Sequence, residues 1–274
     1  MYKKNKSKKV PAYKQNLKPL YGINSSQKDS IIALLQRSKT EEKNKETLYM
    51  YNGVPVARVT TILEETASNA GLVIWANRLG FKHISSTAAS KMFTDIGSEV
   101  HDYAECVVNG YETRLHSHTP EAANCKAAFD KWWDDLNKQH EKVRVLKTEC
   151  PMSCKWFGGT CDLIINIDGK NILVDYKTSK DIYNQYFLQL AAYKYLIEEC
   201  TFGSTMKLDG CMIVRLPKDG KPYETKMLDF SNPVHRKIIN DAEATFWSMV
   251  LTYYSRSNVY SELNRVRKGC HNNT

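Results

Sequence analysis

Two apolar runs either side of Asp168-Gly169 constrain this chain more than any other feature. Thr160 to Ile167 (TCDLIINI) alternates toward that pair, and Asn171 to Tyr176 (NILVDY) is a short apolar run leaving it. Asp-Gly between two such runs is the strongest short-range signal for a β-hairpin. Val143, Val145 and the residues to Cys150 alternate too and add a strand in front. Tyr186 to Cys200 then returns to helical spacing. Cys211 to Leu216 and Tyr223 to Leu228 look like a second hairpin around Asp219-Gly220, and Pro233 opens a helix to about Tyr254. The elements expected before Val143 are all helices: Ser30 to Arg37, a capping-box start at Thr60-Thr61 with Glu64-Glu65, residues 71–79 ending at Gly80, Thr87 to Val108 stopped by Asn109-Gly110, and Pro120 to His140. The order predicts an α+β (α/β) fold, a central sheet flanked by helices with an N-terminal helical region.

Length sets the organisation. A chain of 274 residues supports one large domain or two small ones with a buried core. Residues 1–48 read as a basic arm and linker, 49–260 as a single domain (49–142 helical, 143–260 sheet core), and 261–274 as a tail. The net charge of +9 is local: residues 1–50 hold 12 Lys and Arg against 4 acids, and the remainder hold 27 against 26. Lys3, Lys4, Lys6, Lys8 and Lys9 crowd a stretch with little to bury, which predicts either a solubilising tail or an arm that contacts nucleic-acid phosphates. No apolar run reaches the ~18 residues of a membrane span, and the start lacks the apolar segment of a secretory signal. Eight cysteines at irregular spacing suit reduced intracellular thiols. The series Cys150, Cys154, Cys161 matches none of the paired C-x2-C spacings of zinc or iron–sulfur sites. A cytoplasmic protein is expected ahead of a mitochondrial one. Abundant Lys, Asn, Tyr and Ile fit an AT-rich genome and suggest a phage source.

The chemistry concentrates between Gly158 and Tyr193. Asp175 and Lys177 lie two apart on a predicted strand and share a face. Asp162, on the preceding strand, can be brought alongside Asp175 by antiparallel pairing. Two carboxylates with an ammonium beside them suit a hard divalent cation, which takes carboxylates, waters and phosphate oxygens. A solvated ion pair at a strand end is the plain alternative. Leu173 and Val174 argue against it, because they mark a buried strand on which polar groups need partners.

Taken together, Gly159-x2-Asp162, Asp175-Tyr176-Lys177-Thr178-Ser179, Gln189-x3-Tyr193 and the upstream Gly97-Ser98-Glu99-Val100-His101 resemble the RecB-like branch of the PD-(D/E)XK nucleases. With Arg58-Val59-Thr60-Thr61-Ile62-Leu63 they are similar to the mitochondrial genome maintenance exonucleases and their phage and bacterial relatives, over about residues 54–200. The resemblance implies a restriction-endonuclease-like core with a mixed sheet. It implies that Asp162, Asp175, His101 and the main-chain carbonyl of Tyr176 hold one or two Mg2+ or Mn2+ ions, with Glu149 matching an upstream acid and Lys177 as catalytic lysine. Gln189 and Tyr193 match a helix motif that orients the site or contacts DNA. Cys161 stands where the family name has Pro. The cluster-binding cysteines of some relatives have no counterpart near the C-terminus, where only Cys270 lies, so no iron–sulfur cluster is expected.

The activity this implies is a metal-dependent DNA exonuclease acting on single-stranded ends in replication, repair or recombination, with the helical part before Val143 walling a passage for a DNA end. An endonuclease or spacer-processing enzyme of the same fold, a nuclease-fold binding module without chemistry, and a basic-tailed interaction protein remain alternatives. Each residue has a plainer role as well: His101 as a packed helix histidine, Gln189 with Tyr193 as a local pair, and Glu149 as the partner of a lysine. Trp132 and Trp133 cannot both face one core from one helix, so one is a candidate for base stacking. His116 and His118 read as solvated.

Overall fold

The computed structural model describes residues 49–67, 70–111, 117–202 and 205–271. The sheet and the candidate site described below lie within one compact unit, Lys43–Tyr253. Elements in order are β1 (Tyr49–Tyr51), β2 (Val54–Arg58), α1 (Val59–Thr66), α2 (Ala70–Phe81), α3 (Ser86–Asn109), α4 (Pro120–Gln139), β3 (Val143–Ser153), β4 (Phe157–Ile167), β5 (Lys170–Lys177), α5 (Gln185–Tyr195) with a π-helical extension Leu196–Thr201, β6 (Gly210–Arg215), β7 (Glu224–Asp229) and α6 (Pro233–His271).

The hairpin predicted around Asp168-Gly169 is β4–β5. Asp168 and Gly169 take φ of 49° and 91°, the left-handed pair that a tight hairpin turn demands. Residues 163–167 pair antiparallel with 174–170. β3 lies along the other side of β4, β6 runs parallel to β5, and β7 closes the edge antiparallel to β6. The parallel β5–β6 step needs a crossover, which α5 and its extension supply. Central strands of such a sheet are covered on both faces and read as continuous apolar runs.

One face carries Leu163, Ile165, Val174, Tyr176 and Val214 against Ile96, Val100 and Ala104 of α3 and Cys125, Phe129 and Trp132 of α4. On the other, α5 packs on β4 and β5, and α1 packs on α5 and β4. Near the start of β4, Phe157 packs edge-to-face with Phe246 and Trp247 of α6, with ring centroids 5.0 and 5.4 Å apart. The helix ends of the first half follow local chemistry. Thr119 caps α4 by accepting from Ala122 N at 3.1 Å with Pro120 next, and Gly110 ends α3 at φ 69°.

Three expectations need correction. The first half is not all helix, because β1 and β2 form a hairpin over Asn52-Gly53 (φ 50° and 75°). No capping box forms at Thr60-Thr61. Arg58 is the N-cap, without a side-chain cap bond, and helix α1 starts directly from strand β2. The C-terminal helix does not stop near Tyr254 but reaches His271. The expected helix at Ser30 to Arg37 lies outside the described residues.

Candidate metal centre

Strand register builds the site. Leu163↔Val174 is the last regular pair of the β4–β5 hairpin, so the next step sets Asp162 opposite Asp175, and residues directly opposed on antiparallel strands share a face. On β3 the pairing slips by one between Val145 and Lys147. Without that bulge Glu149 would oppose Cys161 and face away. With it, Thr148↔Leu163 and Cys150↔Cys161 set Glu149 opposite Asp162. Glu149, Asp162 and Asp175 thus form one row across three strands.

Regular pairing lapses at this row. Glu149 has φ of 38°, and Asp162 Oδ2 accepts the Tyr176 N–H at 2.7 Å, taking the place of a ladder partner. Below the row β4 changes partner, with Ala57↔Phe157 and Arg58↔Gly158 joining it parallel to β2. The sheet therefore splits where the carboxylates stand. Gly158 and Gly159 allow that crossing: a Cβ at Gly158 would lie 2.4 Å from Tyr49 Cβ, and one at Gly159 would lie 2.6 Å from Tyr193 Cε1.

Helix α3 supplies the fourth group. Val100 and Ala104 bury its inner face, which leaves His101 at the lip of the split with its ring edge-on to Tyr176, 5.8 Å between centroids. His101 Nδ1 is 3.3 Å from Asp162 Oδ1 and 3.9 Å from Glu149 Oε1. One donor atom from each of His101, Glu149 and Asp162 lies within 4.8 Å of the others. Metal–ligand bonds of about 2.0–2.2 Å place neighbouring donors about 3–4.4 Å apart, so sub-ångström adjustments would close the set on one ion. Imidazole nitrogen with two carboxylates is a mixed donor set that suits Mn2+ and tolerates Mg2+.

Asp175 is not one of those three. It is 1% exposed, its Oδ2 is 2.7 Å from Lys177 Nζ, and yet neither oxygen accepts an aligned hydrogen bond. A buried carboxylate with unspent lone pairs beside two further acids fits a cation-binding cluster.

The protonation pattern points the same way. Burial pushes the Asp175 carboxyl up to about 6, against the pull of Lys177 and with repulsion from Asp162. Burial and then Asp162 push Glu149 up to about 7. Burial favours neutral His101, but the Asp162 carboxylate outweighs it and holds the imidazole up at about 9. Asp162 itself stays below the usual carboxylate range, because His101, Lys177 and the Tyr176 N–H overcome its burial. Protons and one ammonium stand in where excess negative charge calls for a cation.

Lys177 is held in place. Besides Asp175, its Nζ donates to Gln189 Oε1 at 2.9 Å, and Gln189 Nε2 donates to Tyr193 Oη at 2.9 Å. Gln189 and Tyr193 are buried, so these two side chains position the lysine and present no surface to a DNA strand. Sequence reasoning overlooked Tyr186, whose ring lies 5.0 Å under Lys177 Nζ and against half-exposed Tyr183. The signal was available, since Tyr186, Gln189 and Tyr193 recur at i, i+3 and i+7 on one helix face. It also overlooked Lys218, which donates to the carbonyl of Thr178 and to Thr178 Oγ1. Within Pro217-Lys218-Asp219-Gly220 nothing distinguishes it from a solvated turn lysine.

Other expectations resolve differently. Trp132 is buried, and Trp133 is partly buried against the same core, so neither is an open stacking platform; the core is wide enough to receive adjacent positions. His118 is exposed but pairs with Glu99 at 2.9 Å, and His116 lies outside the described residues. Cys150, Cys154 and Cys161 join no cluster of three ligands among the described residues. Lys3, Lys4, Lys6, Lys8 and Lys9 fall outside the described residues. No described helix is long and apolar enough to cross a membrane.

A family model for the PD-(D/E)XK nuclease superfamily matches residues 107–259, more than half of the chain. That span includes Glu149, Asp162, Asp175, Lys177, Gln189 and Tyr193, while His101 precedes it. No curated protein matches the sequence. A solved structure described as "Crystal structure of SSO0001" aligns at 16% identity over 82% of this chain and 86% of that one, with a TM-score of 0.32.

Proposed function

The chain belongs to the PD-(D/E)XK nuclease superfamily, and from that premise we propose that it is a Mg2+- or Mn2+-dependent deoxyribonuclease acting as an exonuclease on single-stranded DNA ends. The observation that carries the metal-dependent part is the convergence of His101, Glu149 and Asp162 within 4.8 Å beside the Asp175–Lys177 pair. Three acids in one row would repel a phosphodiester unless a cation stood between. A divalent ion held there supplies Lewis acidity toward the phosphate and neutralises charge developing in the transition state.

The protein's own residues do the rest. His101, Asp162 and Glu149 would hold the ion, with Asp175 and the Tyr176 carbonyl as further groups that could reach it. Lys177, fixed by Asp175 and Gln189, orients the attacking water in line with the scissile bond, and its ammonium offsets charge on the phosphate. Tyr193 and Gln189 keep that lysine from collapsing onto Asp175 alone.

Two observations support a single-stranded substrate. The ordered motifs resemble those of the RecB-like branch and its mitochondrial genome maintenance exonucleases. Tyr186 beside Lys177, and exposed Tyr183 packed against it, offer rings on which unpaired bases can stack. The lysine-rich arm adds phosphate contacts without sequence preference.

The test is digestion of end-labelled linear single- and double-stranded DNA and of circular single-stranded DNA with Mg2+, Mn2+ or EDTA. Metal-dependent loss of linear single strands with circles intact is expected. Cleavage of circles would show an endonuclease, and DNA binding with no cleavage under any metal would show a binding module.

A further inference from the structure

Cys150 and Cys161 are direct partners in the β3–β4 ladder, and their thiols contact one another. Opposed residues of an antiparallel pair lie about 4.5–5.5 Å apart at Cα, inside the window of about 4.4–6.8 Å that a disulfide accepts. Cys150 is partly exposed, and Cys161 beneath it is fully buried. Each is the chain neighbour of a residue in the acidic row, Glu149 for Cys150 and Asp162 for Cys161. We propose that Cys150 and Cys161 form a thiol–disulfide modification site through which a small-molecule disulfide of the oxidised-glutathione class switches the metal centre off. This rests on reading His101, Glu149 and Asp162 as that centre.

The chemistry proceeds in two exchanges. Cys150, the partly exposed member of the pair, attacks one sulfur of the small disulfide through its own sulfur and expels one free thiol. The Cys161 sulfur then attacks Cys150 in the mixed disulfide and expels the second. Two protein thiols give up two electrons and two protons, and the small disulfide is reduced to two thiols. A reductant reverses both steps.

The consequence for the site follows from where β3 yields. Bonding brings the sulfurs to about 2.05 Å and fixes the spacing of β3 and β4 at this pair. The adjacent residue, Glu149, is out of regular pairing at φ 38°, so the constraint falls on a would-be ligand whose carboxylate still has to shift to close on an ion. Displacing the groups that orient a metal ligand typically weakens binding about 10–100-fold.

The full chain is treated with oxidised glutathione or with dithiothreitol. Intact mass and non-reducing peptide mapping then report the bond, and calorimetry with Mn2+ reports the site. Mapping matters because Cys154 and Cys200 are also in thiol contact. Expected are a Cys150–Cys161 linked peptide, Mn2+ affinity lower by about 10–100-fold, and recovery in dithiothreitol. Cys150→Ser should bind Mn2+ like the reduced wild type and ignore the oxidant. The proposal fails if both thiols stay alkylatable, if Cys150 stops at a stable mixed disulfide, or if the bond forms with Mn2+ affinity unchanged. A reduced protein that binds no Mn2+ would remove the metal-centre reading and the switch with it, while mapping would still report whether the bond forms.

Discussion

Replacing Lys177 by Ala leaves Asp175, 1% exposed, without its counter-charge. Breaking a buried pair from one side commonly costs about 3–5 kcal/mol because a charge is stranded. Here a proton limits the loss. Asp175 already sits at about 6 against an ordinary 3.8, and without Lys177 it rises further and is neutral at pH 7. A raised carboxylate value in the folded state means that the native form binds the extra proton. Stability therefore falls as pH climbs from the unfolded value to the folded one, and Lys177→Ala extends that fall above pH 6. The extra cost at pH 7 is on the order of 1 kcal/mol, and it vanishes near pH 5, where Asp175 is protonated in both proteins. Urea unfolding of wild type and Lys177→Ala in EDTA at pH 5 and pH 7 measures the difference. A loss above about 3 kcal/mol that is equal at both pH values would refute the charge argument and show that the lysine stem, not its ammonium, holds this part of the core.

Further outcomes follow from the same geometry. Because His101 at about 9, Glu149 at about 7 and Asp175 at about 6 must shed protons to receive a cation, Mn2+ affinity should rise with pH between 6 and 9, with protons released on binding; a flat profile by calorimetry argues against these ligands. Mn2+ at a hundredfold over its dissociation constant should stabilise the wild type by about 2.7 kcal/mol and Asp162→Asn far less, as read by thermal unfolding. Gly159→Ala puts a methyl 2.6 Å from Tyr193 Cε1 and should cost about 1–3 kcal/mol; adding Tyr193→Leu should restore stability but not cleavage, and failure of that rescue would place the strain elsewhere. Tyr193→Phe removes the hydroxyl that Gln189 Nε2 donates to and should lower kcat with KM little changed, whereas a KM effect alone would assign the tyrosine to substrate binding.

The β4–β5 hairpin was legible because period-two alternation and Asp168-Gly169 act locally, and its register carried Asp162 to its place opposite Asp175 without further information. Helix ends at Gly110 and Pro120 were legible for the same reason. Glu149 was not, since its place depends on a bulge between Val145 and Lys147 and no residue there announces a bulge. The β1–β2 hairpin escaped notice although Asn52-Gly53 is a strong turn signal, because a three-residue strand and Pro55 conceal the alternation on both sides. The Thr60-Thr61 capping pattern misled because strand β2 feeds helix α1 directly and leaves no cap position for a threonine. The interplay of Lys177, Gln189 and Tyr193 was half legible: spacing put the last two on one helix face, but only packing against Gly159 shows that they point inward.

The central claim is that one divalent cation sits where the sheet splits. Anomalous diffraction from crystals of the protein soaked in Mn2+ tests it most directly. A single strong peak about 2.2 Å from His101 Nδ1 and from carboxylate oxygens of Asp162 and Glu149 is the predicted result. A peak elsewhere in Lys43–Tyr253, or none at Mn2+ concentrations that support cleavage, would contradict the account.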